Sequence, residues 1–465
     1  MRLAPSKPGM SALAEIRHSA SQRGAAEKSQ NRSLALDCLQ DDGIAGFGDG
    51  FVSPAHIATS QHTPRASNPA IRSRMNFPAT RADALARLEA FLPRAGRAYA
   101  ATRNDDAGPR AAGSTSRLSP AIRRRLVSEA EVCSRMVGAQ GFGAAEKFIQ
   151  QVCWRTYWVG WLEQRPGVWA RYVADVERLA GERHRMLDAA LAGRTGIDCF
   201  DAWVAELTET GWLHNHARMN FASIWIFTLG LPWQLGADFF YHHLLDACPA
   251  SNTLSWRWVA GVQTLGKSYA ARAEIIRARS GGRFAVTAPL AREAAPLPPD
   301  FIPPPQRPRA AGRAEADLRT GLFVTTADLS PETLPLPPLV AVAATARIGG
   351  APAAVKRLFA ETALGDGLAR AAAHASCAPE RLDEADAITA MRDWAARHRL
   401  QQVVTAEAAV GPVADRIEVL ASALAGDGVR LVTLRRDWDA AAWPLATKGF
   451  FGFKAAIPKL LALAS

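Results

Sequence analysis

Cysteine is scarce and scattered. Cys38, Cys133, Cys153, Cys199, Cys248 and Cys377 form no CxxC pair and no His/Cys spacing that would build a zinc or iron–sulfur centre. We read them as reduced, mostly buried thiols of a cytoplasmic protein, and no metal site is expected. Long apolar runs are also missing. The N-terminus, MRLAPSKPGMSALAEIRHSASQRG, has no apolar core of about 7 to 15 residues, which argues against a secretory signal. The longest charge-free stretch, Met219 to Ala237, contains Asn220, Pro232 and Gln234 and reads as a core helix rather than a membrane span. Neither GxGxxG nor GxxxxGK[ST] follows any strand-like segment, so no dinucleotide or nucleoside triphosphate signature is present. Tyrosine is sparse, five residues against 13 tryptophans.

What is there describes a globular chain. Its 465 residues suffice for two or three domains, and 48% hydrophobic with 21% charged residues excludes collagen-like, coiled-coil or wholly disordered chains. The formal net charge of +11 makes a polyanion such as nucleic acid a candidate partner. Residues 1–75, rich in Ser, Ala, Gly, Arg and Gln, read as a disordered extension. From Thr80 the apolar residues recur at helical spacing, as in Leu85, Leu88 and Phe91, and this persists to about residue 280. Residues 76–285 are therefore expected to form an all-α domain. Eight prolines between Pro289 and Pro308 make 286–318 an extended linker or a strap over another surface.

Beyond it the pattern changes. The runs 322–329, 339–345, 401–408 and 429–436 are short, apolar and β-branched, and helical stretches such as 353–375 and 413–425 separate them. Strands alternating with helices predict a smaller α/β domain with a parallel, Rossmann-like sheet at 319–465.

Ten of the 13 tryptophans fall between Trp154 and Trp258, which directs attention to the helical domain. A Trp-rich core is the plain explanation. Three phrases add chemistry. In STSRLSP (114–120) hydroxyl residues precede a helix start, an arrangement suited to a diphosphate and equally to an ordinary N-cap. In TGWLHNHARM (210–219), Asn215 and Arg218 are three residues apart and share a helical face. In LLDACPASNTLSWRW (244–258), Asp246 is a candidate partner for Arg218, in a buried pair that needs further partners to offset desolvation.

Together these phrases resemble the FAD-binding helical domain of the photolyase/cryptochrome family over roughly Phe77 to Phe284. The matching residues are Tyr99, TSRLSP (115–120), the F-x-x-x-x-x-WR-x-Y run from Phe148 to Tyr157, RTG (194–196), FDAWVAEL (200–207), TGWLHN (210–215), Arg218, Met219, Asp246, Asn252 and W-x-W (256–258). The resemblance implies FAD as cofactor. Cofactor contacts would come from Tyr99, Thr115, Ser116, Arg117, Leu118, Ser119, Arg155, Asn215, Arg218, Asp246, Cys248 and Asn252, with Asn252 facing the flavin N5. Trp256 and Trp233 match the inner and middle members of a tryptophan chain for photoreduction. The outer position falls near Ala180, where there is no Trp, which leaves a route through Trp203, Trp212 or Trp225, or slow photoreduction. Gln151, Trp154, Asn215, His216, Met219 and Trp258 match lesion- and DNA-contacting positions, Trp154 and Trp258 as aromatic walls around an extruded dimer.

The implied function is a deoxyribodipyrimidine photolyase, a lyase that repairs cyclobutane pyrimidine dimers in damaged DNA by electron transfer from light-excited reduced FAD, acting as a cytoplasmic monomer. The alternative is a cryptochrome-like blue-light receptor without repair, and a third reading is a helical protein that has lost the flavin. Gln151, Thr156, His216 and the missing outer Trp favour the alternative. Gln151 replaces a lesion-bonding Glu, Thr156 replaces the Glu of a WRE phrase, His216 replaces a phosphate-contacting Arg, and Cys248 replaces an Asp. A (6-4) photolyase is disfavoured, because it needs His where Asn215 stands. Family members carry an α/β antenna domain before the helical one; here the α/β unit follows, and we read it as a transposed antenna domain whose pigment, if it has one, is unassigned.

Overall fold

The computed structural model describes residues 77–109, 113–264, 266–345 and 352–463. The expected disordered extension, 1–75, lies outside the described residues, and Cys38 with it. Helix α1 (Arg81–Phe91) starts at Thr80, whose hydroxyl caps the Asp83 N–H, and buries Ala84, Leu88 and Phe91 at helical spacing. It is followed by α2 (Arg97–Thr102), α3 (Ser119–Arg123), α4 (Glu129–Gln140), α5 (Phe142–Glu163), α6 (Pro166–Ala180), α7 (Leu187–Leu191), α8 (Asp198–Thr210) and α9 (Asn215–Ser223). Helices α10 (Trp233–His243), α11 (Pro249–Val259) and α12 (Ala273–Arg279) complete the helical region.

The charge-free stretch from Met219 to Ala237 is not one helix. A π-helical turn, Ile224–Thr228, follows α9, and Gly230 at φ +66° with Pro232 then turns the chain before α10. Pro232 cannot continue a helical ladder, and only glycine takes a left-handed φ without steric cost. No helix among the described residues is long and apolar enough to cross a membrane.

The α/β region comprises β1 (Thr320–Val324), β2 (Leu339–Ala344), α13 (Ala354–His374), β3 (Pro379–Arg381), α14 (Ala387–Arg397), β4 (Gln402–Ala406), α15 (Pro412–Gly426) and β5 (Arg430–Leu434). The sheet is wholly parallel in the order β3-β2-β1-β4-β5, a doubly wound arrangement. Edge strand β3 is missing from the sequence reading because Pro-Glu-Arg has no apolar alternation to betray it. Three short helices close the chain: α16 (Asp437–Ala442), α17 (Phe450–Lys454) and α18 (Ile457–Ala462).

Both sheet faces are covered, which is why β1 and β4 read as continuous apolar runs. Phe323, Ala343 and Val403 point toward Met391 and Trp394 of α14 and Leu420 and Leu424 of α15. Leu322, Val324, Val342 and Val404 belong instead to one core with Leu364 and Leu368 of α13 and with Phe91, Trp203 and Trp225 of the helical region. The two regions therefore share a core. The proline-rich segment is a strap: Arg165 Nε donates to the Pro303 carbonyl at 3.0 Å, Gln306 N–H to the Gln164 carbonyl at 3.0 Å, and Gly312 N–H to the Thr433 carbonyl at 3.1 Å.

Candidate functional site

A cavity of about 460 Å³ opens into the helical region. Its walls come from the 115–119 segment, α3, α5, α9, the 244–248 turn and α11. It gathers Tyr99, Thr115, Ser116, Arg117, Leu118, Ser119, Gln151, Trp154, Arg155, Asn215, Arg218, Met219, Asp246, Cys248, Asn252, Trp256 and Trp258. Two expected site residues, His216 and Trp233, are not in its lining.

The Arg218 guanidinium grips Asp246 with both terminal nitrogens, at 3.0 and 2.8 Å, while its Nε donates to the Leu213 carbonyl at 2.9 Å. Five donors in a rigid fork suit this two-oxygen partner. The Asp246 side chain is buried and Arg218 is partly open, so the pair forms a fixed wall with one face turned to the cavity. Asn252 donates to the Ala237 carbonyl at 2.8 Å, which pins its amide to α10.

The anion-binding end differs from the sequence reading. Helix α3 is a single turn, and the Leu118 N–H is already engaged by Ser116 Oγ at 3.3 Å. Arg117, at φ +53°, turns its guanidinium onto the Gly108 and Pro109 carbonyls. Attraction for an anion rests instead on the hydroxyls of Thr115, Ser116 and Ser119 and on two cavity arginines. One, Arg123, went unnoticed in the sequence; it closes α3 four residues after Ser119, which puts it on the same helical face. The other, Arg155, pairs with buried Glu129, and its buried Nε has no partner among the described residues. Their field is visible at Cys248. Burial works to raise this thiol, but Arg155, Arg123 and a backbone bond at Ser251 outweigh it and hold the thiol below its ordinary value.

Each wall tryptophan is backed by a second aromatic ring. Trp154 stacks on Phe450 of α17 with centroids 3.7 Å apart and planes 11° apart, and Trp258 stacks on Tyr269 at 6.3 Å and 28°. Both walls are half-buried and line the cavity. Trp256 is buried at the base, perpendicular to Trp225 at 6.2 Å and to Phe240 at 5.1 Å. Its indole tip lies 2.4 Å from where a Gly236 Cβ would sit, so only glycine permits this approach.

Trp233 stacks on Tyr172 at 5.8 Å, and Tyr172 meets Trp169 at 5.2 Å. Of the three rerouting candidates, Trp225 touches Trp256; Trp203 packs on Phe284, and Trp212 lies beside Phe77, Arg117 and Arg218. His216 bonds Asn220 through its ring, and burial, assisted by Arg279, pushes its pKa down. It is thus a neutral helix-packing group, not a charged rim residue. Thr156 also points away from the cavity: its hydroxyl accepts the Trp438 indole N–H at 3.2 Å. The missing Glu of the WRE phrase therefore reflects packing of the C-terminal helices on α5. Among the described residues no cluster of His, Cys, Asp and Glu could hold a metal.

An open helical cavity with an Arg–Asp wall, an anion-attracting end and paired aromatic sides suits a large, partly anionic, partly aromatic cofactor. Residues 148–280 match the family model described as the FAD binding domain of DNA photolyase. Over that stretch the chain resembles the FAD-binding domain of DNA photolyases, a domain whose cofactor is FAD. It is 36% identical to a deoxyribodipyrimidine photo-lyase of Streptomyces griseus over 36% of this chain and 39% of the relative. It is 30% identical to a chloroplastic/mitochondrial cryptochrome DASH of Ostreococcus tauri over 41% of this chain and 36% of that one. The crystal structure of a class III photolyase from Agrobacterium tumefaciens aligns with 26% identity and a TM-score of 0.38, covering 43% of each chain. The matched portion spans about two fifths of the length of these curated relatives.

Proposed function

We propose that this protein is a light-driven deoxyribodipyrimidine photolyase that acts on cyclobutane pyrimidine dimers in DNA, as a cytoplasmic monomer. The observation that carries this reading is the presence of Trp154 and Trp258 on the same cavity as the Arg218–Asp246 pair and Asn252. The site suits FAD: the volume falls within the range of about 300–1,000 Å³ usual for such ligands, and the partnerless Arg155 Nε offers a buried donor. When bound, FAD supplies a light-absorbing redox centre that can pass an electron to a lesion.

The chain's own residues do the rest. Thr115, Ser116 and Ser119 present hydroxyls, and Arg123 and Arg155 positive charge, to the diphosphate. Arg218, held flat by Asp246, offers a fixed cationic edge. Asn252 keeps its amide at one orientation and can both donate and accept. Trp154 and Trp258 provide apolar faces that receive an extruded pyrimidine pair and exclude water, and a damaged pair costs least to flip. Gln151, exposed at the rim, hydrogen-bonds the base edges.

The test is direct. Purified protein is expected to show flavin absorbance, and the photoreduced form to convert dimer-containing oligonucleotide back to intact pyrimidines under near-UV or blue light. Failure to restore the oligonucleotide despite bound flavin would overturn the repair reading. The cryptochrome-like reading draws support from the displacement of His216 from the cavity and from Gln151 standing in place of a carboxylate. A light-driven redox change with no loss of dimers would establish it.

A further inference from the structure

Helix α17 brings an aromatic pair to the edge of the cavity that no feature of the helical region required. Phe450 is buried and stacked flat on Trp154. Its neighbour Phe451 is 84% exposed, the most exposed of the large hydrophobic side chains among the described residues. The helix is firmly seated. Phe450 and Phe453 pack on Tyr157, the Tyr157 hydroxyl donates to the Lys448 carbonyl at 2.8 Å, and Lys454 pairs with Glu146 at 3.0 Å. Phe451 is thus an apolar group held in water by a rigid support, one residue from the ring that backs the cavity wall.

Its surroundings are basic. Lys448 is exposed at the approach to α17 and has no ion-pair partner among the described residues. Lys147 is likewise exposed, and on α5 Lys147, Gln151 and Trp154 follow one another at four- and three-residue spacing along the strip that enters the cavity. An exposed aromatic ring flanked by lysines matches the chemistry of a stacked base between phosphates. Proteins that kink or open a duplex insert apolar wedges between base steps in this way.

We infer that the Lys448–Lys454 segment is a DNA-contacting wedge: Phe451 stacks on a base of the duplex beside the extruded pair, Lys448 and Lys147 meet the adjoining phosphates, and Phe450 holds Trp154 in place to receive the lesion. This rests on the repair reading above and adds a contact surface from the C-terminal region.

The test uses full-length, FAD-loaded protein and a duplex with one thymine dimer and 2-aminopurine beside it. Wild-type protein is expected to bind this duplex more tightly than its undamaged counterpart and to change the 2-aminopurine fluorescence. Phe451→Ala should weaken dimer-duplex binding about 10-fold, as expected for loss of one base–aromatic stack, and abolish the fluorescence change. Flavin content should be unchanged, because Phe451 packs on nothing in the cavity, and Phe451→Trp should restore binding. Lys448→Ala should lower the salt dependence of binding by about one phosphate contact.

Equal affinity and an equal fluorescence response in Phe451→Ala would overturn the wedge while leaving the repair reading intact. An equal loss on damaged and undamaged duplexes, with no fluorescence difference, would also overturn it. A wild-type protein that does not discriminate the dimer would overturn both. Self-association of the wild type without DNA, lost in Phe451→Ala, would assign the face to a second copy and overturn the proposal.

Discussion

The helical and α/β regions treat their natural ligand sites in opposite ways. In the helical region a cavity stays open and its cations face it. Doubly wound sheets bind ligands at the carboxyl ends of their strands, where the strand order reverses, here between β1 and β4. Around that crevice the described residues face the helical region. The Leu329 N–H donates to the Arg124 carbonyl at 2.8 Å, the Val410 N–H donates to Glu163, and Gly411 lies against Pro249. Arg125, which follows the anion-binding turn, sits buried among Glu129 at 3.3 Å, Asp328 at 3.4 Å and Asp439 at 2.6 Å. Burial works against the Asp328 and Glu129 carboxylates, but Arg436 with Arg125, and Arg155 with Arg125, outweigh it and hold both below the ordinary range. The carboxyl edge of the sheet is thus engaged in bracing the cofactor domain, a reminder that a fold's usual site does not fix its use.

Three substitutions probe this contrast. The largest effect is expected from Arg125→Ala, which leaves buried Asp439 without its arginine while Glu129 keeps Arg155 and Asp328 keeps Arg436. A loss of about 3–5 kcal/mol is expected in urea unfolding, with one cooperative transition because the regions share a core. Two separated transitions would break the comparison. Arg218→Ala comes next. It removes charge-assisted bonds worth about 1.5–3 kcal/mol, so FAD affinity should fall about 10- to 100-fold while the sheet is untouched. Unchanged flavin content would show that the Arg218–Asp246 pair is not a cofactor wall.

The smallest effect concerns Glu163, where the end of α5 meets the α/β region. Burial pushes its carboxyl up to about 7. The folded state therefore keeps a proton that the unfolded chain has released above the ordinary glutamate value. Stability from this group is full below about 4.5 and is lost as pH rises toward 7. Glu163→Gln should flatten stability between pH 5 and 7 and raise it at pH 8 by on the order of 1–2 kcal/mol. An unchanged pH profile in thermal unfolding would remove Glu163 from this role.

Much of this was legible in the chain. Strands β1, β2, β4 and β5 announced themselves because both faces are buried, and α1 because Leu85, Leu88 and Phe91 recur at helical spacing. Strand β3 did not, since a three-residue edge needs no pattern. In the cavity, Arg218 and Asp246 were readable as a pair from type and motif. Arg123 was not, because nothing local distinguishes an arginine at a helix end that faces a ligand from one that faces water. Phe450 was invisible for a different reason: its partner Trp154 lies almost 300 residues earlier.

The sequence by itself determined most of the helices and four of the five strands, and the Arg218, Asp246 and Asn252 set of the cavity, because periodicity and motif spacing are local properties. Only the tertiary structure decided that His216 and Trp233 stand outside the cavity, that the strand ends are occupied by Arg124, Arg125 and Glu163, and that α17 backs the wall of the site. These are contacts between distant parts of the chain, set by which buried charges find partners and which apolar faces can close on one another, and no window along the sequence contains both partners.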